Sequence, residues 1–140
     1  MSRIFWDSNL FIYLFEDNPE FSDQVDELRR KMLSRGDQLL TSTLTLGEIL
    51  VKPMAMGDRA LCSQYEKILG ATATVIPFGI QTPWHYAAVR TKTRIKGPDA
   101  IQLACASEAR VDLFITKDHR LEGKTVEVIQ FNVALDQVPF

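Results

Sequence analysis

The run Arg3-Ile4-Phe5-Trp6-Asp7-Ser8-Asn9-Leu10-Phe11-Ile12-Tyr13 decides how the chain is read. Arg3 to Trp6 is a short run of β-forming residues that stops at an acid. Asp7-Ser8-Asn9 is helix-capping chemistry, and the apolar stretch from Leu10 to Phe15 continues as a helix. A strand passing at once into a helix, repeated along a chain, argues for a mostly parallel α/β sheet.

Working outward, the alternation holds. Ser22 caps a helix to Arg35, with Val25, Leu28 and Met32 on one face and Gly36 as its stop. Leu39 to Thr43 is a second strand. Thr45 to Val51 is a helix ended by Lys52-Pro53. Asp58 to Leu69 is a further helix with Gly70 at its end, and Thr74 to Phe78 a third strand. Thr82 to Thr93 is a helix with Pro83 in its first turn. Pro98 to Arg110 is an alanine-rich helix, Leu113 to Thr116 a fourth strand and Val126 to Phe131 a fifth. The tail from Asn132 reads as irregular. The expected architecture is one domain over residues 1–140: an α/β three-layer sandwich whose central, mostly parallel five-stranded sheet is flanked by helices.

Composition sets the limits. At 140 residues with 46% hydrophobic and 24% charged side chains, the chain has a core of its own and is neither disordered nor stapled by disulfides. Cys62 and Cys105 lack metal or redox spacing and read as reduced packing residues. No apolar run approaches the ~20 residues of a spanning helix, and the first residues reach an acid too soon for a signal peptide, so the expected place is the cytoplasm, away from membranes. A net charge of −2 gives no global basic field, so any nucleic-acid partner is met by a local patch.

Four acids stand apart from the solvated ones. Asp7 follows the first strand, Glu48 lies one turn into the helix after the second, Asp99 opens a helix after Pro98, and Asp118 lies just past the fourth strand. The carboxyl ends of parallel strands are where ligands bind. Charges about 4 Å apart repel by roughly 4 kcal/mol at an effective dielectric of about 20. Gathered carboxylates therefore protonate in part, spread, or take up a divalent cation, and oxygen donors suit Mg²⁺ or Mn²⁺. Each acid also has a simpler reading: Asp7 as a helix cap, Asp99 as a partner of the helix dipole, Asp118 as turn chemistry, and Glu48 as a side chain that solvent must meet.

Four stretches together resemble the PIN domains, and most closely the small VapC-like ribonucleases of toxin–antitoxin pairs. These are Ile4 to Tyr13, Leu40 to Ile49, Lys96 to Ala106 and Leu113 to Leu121, each pairing a strand or helix start with one acid. The resemblance implies a PIN-like fold and metal-dependent hydrolysis of RNA phosphodiester bonds. It maps catalytic and metal-holding acids onto Asp7, Glu48, Asp99 and Asp118, with Ser8, Asn9 and Thr116 supporting them. It implies one or two Mg²⁺ or Mn²⁺ ions, an RNA substrate, a cognate antitoxin whose tail covers the acids, and a homodimer. The basic segment Arg90, Lys92, Arg94 and Lys96 is the candidate for phosphate contact, against a solvated helix end. Arg29, Arg30, Lys31 and Arg35 read as an exposed helix face. His119 adjoins the fourth acid, and His85 reads as surface or groove lining. The rivals are an inactive PIN-like scaffold or binding module, and another α/β phosphate enzyme. The latter is disfavoured because position 9 is Asn, not Asp, and there is no Gly-rich phosphate loop.

Overall fold

The computed structural model describes residues 1–117 and 138–140 in full and residues 131–134 by their backbone. β1 (Arg3–Trp6) leads through Asp7 into α1 (Ser8–Phe15). Then come α2 (Ser22–Arg35), β2 (Gln38–Ser42), α3 (Thr43–Ala55), α4 (Arg59–Thr72) and β3 (Thr74–Ile76). α5 (Thr82–Lys92), α6 (Gly97–Glu108), β4 (Leu113–Thr116) and β5 (Phe131–Ala134) complete the order. The five strands form one sheet in the order β3-β2-β1-β4-β5, and all four pairings are parallel.

Alternation along β1 builds the three layers. Ile4 and Trp6 face one side, where they are buried with Leu10, Phe11, Val25, Leu28, Met32, Ile49 and Leu69 from α1 to α4. Phe5 faces the other and is buried with Val89 of α5 and Ala100, Leu103, Cys105 and Ala106 of α6. There Phe5 stacks on Phe114 of the neighbouring strand, ring centroids 5.2 Å apart and 11° from parallel. Such a pair adds about 1 kcal/mol beyond the area it buries. Strands buried on both faces belong to parallel sheets covered by helices.

Local chemistry explains the boundaries, including those that differ from expectation. Gly36 ends α2 in the left-handed region at φ 75°, where a Cβ would be strained. Ser22 is the first residue of α2, not its cap; Phe21 stands at the cap, and the Asn18 side chain accepts from the N–H groups of Glu20 and Phe21. α3 runs through Pro53 instead of ending before it. Proline forfeits one bond in the last turn, and burial of its ring offsets that loss. Asp58 caps α4 by accepting from Leu61 N–H, and the helix passes through Gly70 to Thr72. The fifth strand lies at Phe131–Ala134, and residues 126–130 of the expected strand lie outside the described ones. Asn132 to Ala134, read as irregular, pair with Phe114 to Thr116, because the edge of β4 offers backbone partners that local propensity does not reveal. Cys62 and Cys105 are both free thiols, and burial pushes Cys105 up to about 11.

A candidate acidic site at the carboxyl edge of the sheet

Parallel pairing puts the carboxyl ends of β1, β2 and β4 at one edge. Asp7 sits there at the end of β1, and its N–H donates to Ile115 O of β4 at 3.0 Å, which continues the ladder by one residue. The side chain is buried, only 5% exposed. Oδ1 accepts from Ser8 N–H at 2.8 Å, so Asp7 does cap α1. Oδ2 accepts from the buried Thr116 hydroxyl at 2.9 Å.

Glu48 lies half-buried in the second turn of α3, where its Oε1 accepts from Ser8 Oγ at 3.0 Å. Asp99 is half-buried in the first turn of α6, after the cap residue Lys96. Asp7 feels the charge of both other acids. Burial lifts its carboxyl from the usual 3.8 to about 6. The bonds from Thr116 and Ser8 pull the other way, and the charges of Asp99 and Glu48 add to the rise. Asp7 also raises the phenol of Tyr13, after burial and Glu20. Asp118 follows Lys117 and, with His119, lies outside the described residues.

Chemically the donor set fits a hard divalent cation: carboxylate and hydroxyl oxygens, like charges that resist one another, and no lysine or arginine paired with Asp7 or Glu48 among the described residues. Asn9, two residues from Asp7, holds a buried Oδ1 without a hydrogen-bond donor. Among the described residues, however, no three His, Cys, Asp or Glu side chains stand close enough to form a finished ion cage. Uncompensated acids spread apart, and Glu48 meanwhile takes its bond from Ser8.

The other expected residues sort by place. Arg90 and Lys92 end α5, and Arg94 and Lys96 lie in the link that leads to Asp99; all four side chains are exposed. Arg90 donates to the Tyr86 hydroxyl at 3.1 Å. On α2, Arg30 and Lys31 pair with Asp26 and Glu27 one turn back, which makes this the solvated face expected, while Arg29 is half-buried and reaches Thr72 O at 3.4 Å. His85 contacts Ser107, near the end of α6 opposite to Asp99.

One buried side chain went unnoticed in the sequence: Gln102 on α6. Its amide touches Ser42, Thr45 and Asp7. The only signal was a polar residue amid Ala100-Ile101 and Leu103-Ala104, one turn after Asp99. Beyond this cluster, Thr43, Leu44, Gly47, Phe78, Tyr86 and Ile101 line an apolar cavity of ≈ 510 Å³. Exposed Phe78, Ile80 and Trp84 lie in the same β3–α6 region of the chain.

The profile of the PIN domain matches residues 4–125. The chain belongs to the PIN domain family. A search of curated proteins finds no match. Among solved structures, this PIN domain shares its fold with a chain of VapBC2 from Rickettsia felis bound to a DNA fragment from their promoter. That match has a TM-score of 0.74 at 14% identity, over 94% of this chain and 98% of that one. A chain of a toxin–antitoxin complex from Klebsiella pneumoniae matches with a TM-score of 0.65 at 21% identity, covering 93% and 99%. One of DNA-bound VapBC from Salmonella typhimurium gives 0.63 at 17%, covering 96% and 99%. Among the described residues, no helix of this PIN domain is long and apolar enough to cross a membrane.

Proposed function

We propose that this PIN domain is a metal-dependent endoribonuclease and the toxin half of a toxin–antitoxin pair. Family membership supports a nuclease, and the likeness of fold to chains from VapBC complexes supports the pairing with an antitoxin. The single observation that carries the reading is the buried Asp7, charged against its surroundings and within electrostatic reach of Glu48 and Asp99, with no described cation paired to it.

In this reading Asp7, Glu48 and Asp99, with Asp118, hold one or two Mg²⁺ or Mn²⁺ ions. Those residues would hold the ion, which would supply charge to offset the repulsion of a phosphodiester and Lewis acidity to activate water near neutral pH. The chain's own groups do the rest. Thr116 and the Ser8 N–H fix the Asp7 carboxylate, and Ser8 Oγ holds Glu48. Arg90, Lys92, Arg94 and Lys96 supply phosphate contacts without reading sequence. The partners are RNA, a cognate antitoxin and a second copy of the chain, in the cytoplasm. Phe78, Ile80 and Trp84 are exposed apolar surface that a protein partner would cover.

The rival reading, a PIN-like scaffold that binds without cutting, draws on the unfinished ion cage. Incubation of purified chain with structured RNAs in Mn²⁺ separates the two. The enzyme cuts, and loses cutting on Asp7→Asn and Asp99→Asn; a scaffold binds RNA equally well in all three forms. Cleavage that survives both substitutions overturns the assignment.

A further inference from the structure

Gln102 is 1% exposed, and the side chains around it form a connected set of hydrogen bonds. Thr41 Oγ1 has two acceptors within reach of its proton, Trp6 O at 3.0 Å and Thr45 Oγ1 at 2.8 Å. Thr45 Oγ1 in turn accepts from Gln102 Nε2 at 2.8 Å. On the other side of the amide, Gln102 Oε1 accepts from the Ser42 hydroxyl. The amide turns its Nε2 toward Asp7, because an ionised carboxylate oxygen only accepts. The second Nε2 proton is left for Asp7 Oδ1, 3.5 Å away. Thr41, Ser42 and Thr45 are fully buried, so no bond in this set is exchanged for water without loss.

The network joins the elements that carry the acids. Thr45 lies one turn before Glu48 on α3, Gln102 lies one turn after Asp99 on α6, and Trp6 and Asp7 end β1. Hydrophobic packing alone permits small slides between helices; a chain of directional bonds does not.

We propose that Gln102 is a positioning residue that registers α6 against α3 and Asp7, and so sets the spacing at which Asp99, Glu48 and Asp7 receive a divalent cation. This rests on the reading of those acids as the ion's ligands, and the experiment separates the two. Mn²⁺ is titrated into the purified chain, and binding is read as loss of the six-line paramagnetic resonance signal of the free ion. RNA cleavage is not needed. The set is wild type, Gln102→Met, Thr45→Val, Asp7→Asn and, as a control, Val89→Ala. Val89 is a buried core residue in α5 outside the network, so its truncation lowers stability without touching the acids.

Methionine matches glutamine in length and removes the amide. Gln102→Met raises the Mn²⁺ dissociation constant about 10- to 100-fold, the range seen for outer partners of metal ligands. Thr45→Val, which keeps the amide but removes its acceptor and the contact to Thr41, raises it several-fold, and Val89→Ala leaves it unchanged. If Gln102→Met and Thr45→Val both bind Mn²⁺ as wild type does, or weaken only as far as Val89→Ala does, the positioning role is refuted while the acid site stands. If Gln102→Met does not fold, Thr45→Val decides alone. If wild type and Asp7→Asn bind alike, the acid site itself falls, and Gln102 with it.

Discussion

Replacing Asp7 with Asn stabilises the metal-free protein, and the gain depends on pH in a direction fixed by the site. Asp7 titrates at about 6 in the fold against 3.8 for an ordinary aspartate. Between those values the native state holds a proton that the unfolded chain has released, so stability falls as pH rises through the window. The penalty is absent below the lower value and complete above the upper one. At about 1.4 kcal/mol per tenfold change, it amounts to roughly 3 kcal/mol near pH 7.5. Asparagine removes the charge and keeps the shape. Its oxygen still accepts from Ser8 N–H, and its amide donates to Thr116 Oγ1 in place of the present bond. The bonds from Thr116 and Ser8 to the charged form are already part of that value, so the gain stays at roughly 3 kcal/mol, or about 8 °C in Tm. Thermal melts of both proteins in chelator at pH 4, 5, 6 and 7.5 test this: the two curves meet near pH 4 and separate toward pH 7.5, with the variant above. Added Mn²⁺ raises wild type and not the variant. A variant that melts lower at pH 7.5, or a gap that ignores pH, refutes the claim that burial and like charge govern this carboxylate.

Three further outcomes follow from the same geometry. Asp99→Asn abolishes Mn²⁺-stimulated RNA cleavage while circular dichroism stays that of the wild type, because Asp99 sits half-buried in a first turn and is not part of the core; cutting at the wild-type rate removes the residue from the site. Thr116→Val deletes a hydroxyl that serves a charged acceptor at 2.9 Å and destabilises the chelated protein by about 1.5–3 kcal/mol at pH 8, but by less at pH 4, where Asp7 is protonated in the fold; urea melts at the two pH values check it. Neutralising Arg90 and Lys96 together weakens single-stranded RNA binding uniformly across sequences and flattens the slope of log affinity against log salt by about 0.7 per lost contact, read by fluorescence anisotropy from low to moderate salt.

What was legible in the sequence was what is decided locally. β1 (Arg3–Trp6) and β4 (Leu113–Thr116) have the bounds their β-forming runs predict, and α2 stops at Gly36 because no other residue takes that φ so readily. Each departure reflects a distant partner. Pro53 and Gly70 look like helix ends, yet α3 and α4 continue because each packs a face on the sheet or its neighbour. β5 extends to Ala134 because β4 has an edge to be paired. Asp7 was legible because the end of β1 announces itself; that the carboxyl ends of β1, β2 and β4 share one edge is a consequence of parallel pairing, and Asp118 lies outside the described residues. Gln102 was not legible, because nothing near it in the chain says that Ser42, Thr45 and Asp7 wait at its amide.

Two buried aspartates on this sheet make the strongest argument for what the acid edge is for. Asp37 stands where β2 begins, at the opposite edge from Asp7. Its side chain is as deeply placed, yet it holds Arg35 Nε at 2.8 Å and accepts from the Ser2 N–H at 2.8 Å, and the Arg35 guanidinium lies 4.1 Å over the Phe140 ring. There the fold neutralises a buried carboxylate with a cation from its own chain, the ordinary solution for stability. At Asp7 the described residues supply neutral donors only, from Thr116, Ser8 and Gln102, and the charges of two further acids act on it. An arginine there would relieve the penalty and close the site. Leaving it out keeps a concentrated negative charge fixed in direction by neutral bonds, a state that a mobile divalent cation relieves and a monovalent one relieves less. In the proposed reading, the stability given up at Asp7 would contribute to the affinity for such an ion, and the melts in chelator and in Mn²⁺ test both sides of that exchange.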